Sequence, residues 1–157
     1  MILIHLAKIT LLEKSCDYFK NVLIPTLVQG EVLNKKYSDS ALINELIGKK
    51  KIKVVSIKDS LLLKRAEEFN IFMGEAEVVA LYWQENANYL ATDDDNVRKK
   101  SLLLNLNVIG TPAILLTLYR RKIIDEEKMT MAINKLKQIG WFSNAVLDKI
   151  LLEVKNG

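Results

Sequence analysis

Short apolar runs alternate with amphipathic stretches along most of the chain. Four of these runs are apolar or β-branched and too short for helices, and are therefore predicted to be strands: 21–24, 52–57, 88–92 and 107–109. Elsewhere apolar residues recur at helical spacing, as Ala76, Val79 and Trp83 do. Strands that alternate with helices predict βα units. The pattern therefore favours a short, mostly parallel central sheet with helices on both faces, a three-layer α/β/α fold.

Capping residues mark the ends of the predicted helices. Thr26, Thr111, Asp125 and Ser143 each carry a side-chain oxygen suited to a helix N-cap. Gly140 is predicted to be the glycine that ends the helix from Asp125. The predicted helices cover 26–33, 38–49, 59–69, 75–85, 95–106, a segment from 111, 125–139 and a segment from 143.

The composition is that of an ordinary globular protein and excludes several kinds of site. At 157 residues, 50% of them hydrophobic, the chain is predicted to form one domain, 1–157, with the carboxyl-terminal helices at about 125–155 packed on it. Cys16 and His5 are single residues of their types, which excludes an intrachain disulfide and a Cys/His zinc site. We expect Cys16 to be semi-buried and His5 to lie at the edge of the core. Without a signal-peptide pattern or a long apolar run, a cytoplasmic location is expected.

Basic residues are concentrated in one part of the chain. The segment 96–122 holds six Lys or Arg residues and no acidic one, although the net charge is only +4. Five of them are candidates for nucleic-acid binding: Arg98, Lys99, Lys100, Arg120 and Arg121. A second cluster at 49–53 holds four lysines. Contact with a phosphate backbone and a merely solvated surface both stay open as interpretations.

Two groups of acidic residues are predicted to meet at one edge of the sheet. Glu75 and Glu77 open a helix, and the aspartates 93–95 follow the strand to which that helix leads. In a parallel sheet the functional crevice lies beyond the carboxyl ends of the strands, where Thr111 is also expected. Each group alone has a structural explanation, since acids suit a first helical turn and aspartate suits turns. Together they predict a site for Mg²⁺ or Mn²⁺, because clustered like charges are best tolerated beside a cation.

An ordered set of motifs makes the chain resemble a known family. In chain order the motifs are LIHLAKI, IPTLVQGEV, GEAE, TDD, VIGT and a carboxyl-terminal GWFS. The set resembles the PIN-domain family over nearly the whole chain, in particular the small prokaryotic PIN proteins similar to VapC toxins. The resemblance implies a toxin-type endoribonuclease that hydrolyses RNA phosphodiesters with Mg²⁺ or Mn²⁺. It also implies a homodimer and a small antitoxin protein as a partner.

The resemblance assigns roles to individual acids. Glu31, Glu75 and Asp94 match the catalytic positions. By these roles Glu75 and Asp94 would hold the metal, and Glu31 would orient a second ion or the attacking water. The neighbours expected to assist are Asp93 as a further metal ligand, with Glu77, Asp95 and Thr111 in supporting positions.

The chain departs from the family pattern at its amino end. The family opens with a strand that ends in an aspartate, and Met1 stands where that strand should already have ended. The first strand is therefore expected to be missing or replaced, and the first acid absent. Two explanations stay open: a start codon assigned too late, or a degenerate member in which residues 1–5 substitute for the strand. The alternative to the endoribonuclease is accordingly a degenerate, non-catalytic PIN module that binds nucleic acid or protein.

Overall fold

Helices and strands alternate along the chain, as the apolar pattern predicts. The computed structural model describes residues 1–34 and 38–157, with ten helices and four strands among them. The helices are α1 (Ile2–Lys8), α2 (Leu12–Phe19), α3 (Thr26–Val32), α4 (Ser40–Gly48), α5 (Ser60–Glu68), α6 (Met73–Gln84), α7 (Asp95–Lys100), α8 (Thr111–Arg120), α9 (Glu126–Ile139) and α10 (Asn144–Asn156). The strands are β1 (Val22–Pro25), β2 (Ile52–Val55), β3 (Leu90–Ala91) and β4 (Val108–Ile109). None of these helices has both the length and the apolar character that crossing a bilayer requires.

The strands form two parallel pairs. β1 pairs with β2, with Val22 opposite Ile52, and β3 pairs with β4, with Leu90 opposite Val108. The second pair is extended by one bond beyond β3, where the amide of Thr92 donates to the carbonyl of Ile109 at 3.0 Å. All four predicted strands are therefore confirmed. β1 is shifted by one residue from the predicted run, and the other three strands are shorter than the runs that predicted them.

The sheet separates two clusters of buried apolar side chains. The larger cluster joins the amino- and carboxyl-terminal helices with β1 and β2, and the smaller one packs α5, α6 and α7 together. In β4, Val108 contacts the smaller cluster and Ile109 the larger one. Since successive side chains of a strand point to opposite faces, the two clusters lie on opposite faces of the sheet. This arrangement confirms the predicted α/β/α fold.

Three of the predicted helix boundaries are confirmed by their caps. The side chain of Asp125 accepts the amide of Lys128 at 2.7 Å, and that of Ser143 accepts the amide of Val146 at 3.3 Å. Gly140 ends α9 with a φ of 78°, a left-handed conformation that glycine adopts without steric cost.

Other boundaries are wrong by one residue or more. Thr26 and Thr111 lie inside α3 and α8, whose N-cap residues are Pro25 and Gly110. The Thr111 hydroxyl donates to Asp93 instead of capping its own helix. The helix that starts at Asp95 ends at Lys100 and not near residue 106. Asn105 has a φ of 54°, which an α-helix cannot accommodate, and residues 101–105 form turns.

The amino-terminal segment is a helix, so the expectation that residues 1–5 substitute for a strand is wrong. In α1 the side chains of Leu3, Leu6 and Ala7 fall on one face and are all buried in the larger cluster. His5 is also completely buried, and not at the edge of the core. Cys16 is buried too, and burial raises the pKa of its thiol to about 11.

Replacing Gly140 with alanine should destabilise the fold by roughly 1 kcal/mol, because an L-residue in the left-handed region meets its own carbonyl. Gly48→Ala is the matched control, since Gly48 ends α4 without a positive φ and no atom lies within 4 Å of the added methyl group. That control should be neutral or stabilising by up to about 1 kcal/mol. Urea denaturation of the two variants measures both effects, and equal midpoints would contradict the assignment of Gly140.

Candidate acidic site at the carboxyl edge of the strands

Glu75, in the first turn of α6, faces the end of β3. Its Oε2 lies 3.4 Å from the Thr92 hydroxyl, which can donate to it. Burial raises the pKa of Glu75 above its ordinary value, and the charge of Asp94 adds to the rise. The Met1 ammonium and Thr92 partly offset this rise, and Glu31 contributes a smaller increase. Three carboxylates therefore influence one another at this edge.

Glu31 reaches the site because residue 74 has no side chain. A Cβ placed on Gly74 would lie only 2.6 Å from Oε1 of Glu31, which rests against the start of α6. Glu31 belongs to α3, the helix that follows β1, whereas Asp94 follows β3. The site thus combines acids from both strand pairs.

The side chain of Asp93 points into the protein, where both of its oxygens accept hydrogen bonds. Its Oδ1 accepts the Thr111 amide at 2.7 Å, and its Oδ2 accepts the Thr111 hydroxyl at 2.5 Å and His5 Nδ1 at 2.7 Å. Its backbone carbonyl accepts the indole N–H of Trp141 at 3.2 Å. Burial alone would raise the pKa of Asp93, but the hydrogen bonds from His5 and Thr111 outweigh burial and hold it below its usual value.

The side chains of Glu77 and Asp94 each contact a backbone amide near the start of a helix. Oε2 of the buried Glu77 lies 3.4 Å from the amide of Leu27, so Glu77 supports the start of α3 from outside that helix. Asp94 is the N-cap of α7, and its Oδ1 accepts the amide of Val97 at 2.9 Å. Asp95 is exposed in the first turn of α7, where a negative charge suits the helix dipole.

The comparison with protein families agrees with this architecture. A family model described as a PIN domain matches residues 1–156. The chain belongs to the PIN-domain family. Comparison with curated proteins and with solved structures gave no match. The family supports a nuclease-type α/β fold and contact with nucleic acid, in keeping with the acids and the basic segment.

The acidic residues of this PIN domain provide two candidate metal ligands and not a complete set. In residues 1–34 and 38–157, no group of three or more His, Cys, Asp or Glu side chains is placed to hold one ion. Glu75 and Asp94 are the remaining pair, since both oxygens of Asp93 already accept hydrogen bonds. Mg²⁺ commonly uses one or two protein carboxylates and completes its shell with water and phosphate oxygens. An all-oxygen pair of this kind fits such an ion.

The basic side chains divide between two places on the PIN domain. Arg98 Nη1 and Asp93 Oδ1 each lie 3.0 Å from the position that a Cβ on Gly110 would occupy, so Arg98 flanks the site. Lys99 is exposed beside it, whereas Lys100 donates to the carbonyl of Phe69. The other candidates, Arg120 and Arg121, end α8, and Arg120 contacts Glu153 at 3.3 Å. α8 starts at the site, so these two lie about 14 Å away along its axis.

His5 and Trp141 are the site residues that the sequence did not reveal. His5 is separated from Asp93 by 88 positions, and it sits in an apolar run that predicts packing only. The rings of Trp141 and Phe142 pack on the imidazole with centroids 5.4 and 5.3 Å away. Nε2 of His5 is buried and has no hydrogen-bond partner in the described part of the chain. Of these two residues, only Trp141 lies in a motif that the sequence singled out, GWFS. That motif did not indicate the contact of Trp141 with Asp93.

Thr111→Val should destabilise the fold by about 1–3 kcal/mol near neutral pH, because the buried carboxylate of Asp93 loses a donor. The lowered pKa of Asp93 means that its contribution is complete above the unfolded value of about 3.9 and is lost as pH falls through the native value. The stability gap between wild type and variant should therefore narrow at acid pH. Urea denaturation as a function of pH measures this gap.

Thr117→Val is the matched control for that experiment, since the Thr117 hydroxyl on the same helix bonds only to the carbonyl of Ala113. It should change stability by no more than about 0.5 kcal/mol at any pH. A Thr111 variant that behaves like this control would show that Asp93 does not need its hydroxyl partner.

Proposed function

We propose that this PIN-domain protein is a toxin-type endoribonuclease that depends on Mg²⁺ or Mn²⁺. The observation that carries the proposal is the meeting of Glu31, Glu75 and Asp94 at one edge of the sheet. Among the ion pairs of the described residues, none neutralises these three carboxylates. Acids without an ion-pair partner beside a half-buried Glu75 are costly unless a cation joins them, which favours a metal site over a structural role.

Glu75 and Asp94 would hold the ion, which would polarise a phosphoryl oxygen of the RNA and lower the pKa of a bound water. Glu31 would orient the attacking water, or a second ion. Asp93 keeps the Thr92–Asp94 turn in place from inside through His5 and Thr111, which is a supporting role and not that of a ligand. The assignment of Asp93 as a further metal ligand is therefore not part of the proposal.

Arg98 and Lys99 would position the RNA phosphates, because they are the candidate cations that flank the acidic edge. Arg120 and Arg121 would serve a longer RNA that runs along α8. A homodimer and a small antitoxin protein remain further proposals, as does a cytoplasmic location. Exposed Leu102 and Leu103, at 93% and 71%, offer apolar surface for such contacts.

A second function is favoured by one specific observation, the two-carboxylate ligand set. Without the family's first acid, the chain would act as a degenerate PIN module that binds RNA or protein and does not cleave. In that case the buried Asp93 network would preserve the fold, and the basic side chains would carry the binding.

Incubation with a structured RNA and Mn²⁺ should give cleavage that a chelator abolishes. Asp94→Asn and Glu75→Gln should each lower the rate by at least about 100-fold, since loss of even an outer partner of a metal ligand costs about 10–100-fold. Glu127→Gln, an exposed acid on α9, is the control and should keep the full rate. Cleavage that persists in chelator, or in Asp94→Asn, would refute the metal-dependent assignment.

The binding module is tested by fluorescence anisotropy with a labelled RNA across a range of salt concentrations. Binding that is strong, steeply salt-dependent and unaffected by chelator, without cleavage, is expected for it, because phosphate contacts release counterions. Arg98→Ala should then lower the slope of log K against log salt by about 1. Lys155→Ala, near the end of α10 and far from the acids in sequence, is the control and should leave the slope unchanged.

A further inference from the structure

The indole of Trp141 lies beside the acidic edge with half of its surface in solvent. Trp141 follows Gly140, the glycine that ends α9, and it is 50% exposed. Its N–H donates to the backbone carbonyl of Asp93 at 3.2 Å. A single exposed aromatic ring does not by itself indicate a binding site. The place of this ring in the fold is what connects it with a ligand.

Two contacts hold the Trp141 ring in a defined orientation. The hydrogen bond to Asp93 fixes the nitrogen edge of the indole, and the imidazole of His5 packs on the ring with centroids 5.4 Å apart. Because His5 is completely buried, this second contact lies on the inner side of the ring. A ligand that stacked on the outer side would meet a ring that is already ordered, which lowers the entropic cost of binding.

The ring also lies close to Asp94, one of the two proposed metal ligands. The carbonyl that accepts the indole N–H belongs to the peptide bond between Asp93 and Asp94, so the indole nitrogen is within about 6 Å of the Asp94 Cα. Arg98 borders the same turn beside Gly110. The base of a nucleotide is separated from the nearest phosphates by a similar distance. A phosphate at the acidic edge could therefore have its base on the Trp141 ring.

The surroundings of the ring match the two chemical parts of a nucleotide. Arg98 and the exposed Lys99 offer positive charge to phosphates, and the face of the Trp141 indole offers a π surface to a base. An apolar peptide side chain could also cover the ring, but it would gain nothing from the neighbouring cations. The combination therefore favours a nucleotide over an apolar protein segment as the occupant.

We propose that Trp141 is a base-binding residue, on whose exposed face one base of the RNA stacks beside the phosphate at the acidic edge. The inference rests on the proposed contact with RNA, and it adds the side chain that binds a base. Both faces of a base are covered inside a duplex, so the nucleotide at this position is unpaired or displaced from its helix. The stacking does not require cleavage, and it applies equally to a nuclease and to a binding module.

Intrinsic fluorescence tests the stacking directly, because the chain holds two tryptophans. The probe is an unpaired RNA of about eight nucleotides, added with chelator so that it is not cleaved. In Trp83→Phe, Trp141 is the remaining emitter, and its emission should be quenched as the RNA saturates, since a stacked base quenches an indole. In the matched variant Trp141→Phe, the emission of Trp83, which packs on the smaller cluster, should not change. An oligomer of the same length whose nucleotides lack bases should not quench Trp141.

Affinities from fluorescence anisotropy separate stacking from the structural role of the indole N–H. Trp141→Leu should weaken binding of the same RNA about fivefold to 100-fold, the range expected for one lost stacked base. The slope of log K against log salt should stay unchanged, because no phosphate contact is lost. Trp141→Phe lacks the N–H but keeps a ring, so it should retain most of the affinity. Tyr89→Leu is the control, since it removes a ring that is 52% exposed just before β3, and it should bind as wild type does.

The outcomes distinguish this inference from the proposed function. RNA that binds by anisotropy without quenching Trp141 would overturn the stacking and leave the contact with RNA intact. Equal losses of affinity in Trp141→Leu and Trp141→Phe would assign the indole a structural role, and they would also overturn the stacking. Quenching of Trp141 by an RNA that is not cleaved in Mn²⁺ would support the stacking and refute the nuclease. No binding of RNA at all would overturn both.

Discussion

The buried carboxylate of Asp93 is the contact on which the acidic edge depends. It accepts hydrogen bonds from His5 in α1 and from Thr111 at the start of α8, while the backbone carbonyl of Asp93 accepts the indole N–H of Trp141 after α9. These contacts join three distant parts of the chain to the turn that follows β3. An ionised group in the interior is costly unless its acceptor positions are filled, and here both oxygens are. Removing one donor leaves the charge uncompensated, so the network is sensitive at each partner. The fold therefore fixes this turn more firmly than a surface loop would be fixed.

The inward direction of Asp93 decides what its neighbours can do. Asp94, the next residue, lies at the edge of the sheet, caps α7 and influences the pKa of Glu75. Two residues apart on α6, Glu77 supports α3 while Glu75 faces Asp94. Each acidic motif thus supplies one structural carboxylate and one that is open to a ligand. This division explains why five clustered acids leave only Glu75 and Asp94, with Glu31 beside them, for a metal.

Local signals in the sequence predicted most of the fold. They did not predict which of the acidic side chains make structural contacts and which stay open to a ligand. Strands, and caps such as Asp125 and Gly140, depend on near neighbours, so periodicity and residue type suffice for them. The sequence also placed Thr111 at the functional edge, where it does lie. It could not show that the Asp93 side chain turns inward, because the environment of Asp93 is set by His5 and Trp141 at long separation. A lone histidine in an apolar run gives no sign of such a contact.

The two strand pairs are connected at the acidic edge through α6. Glu31 follows β1 and Asp94 follows β3, so the two acids belong to strand pairs that no strand pairing joins among the described residues. Glu75 and Glu77, near the start of α6, link the carboxyl ends of both pairs. The separation of Glu31 from Asp94 is therefore set by side-chain packing and not by a sheet register.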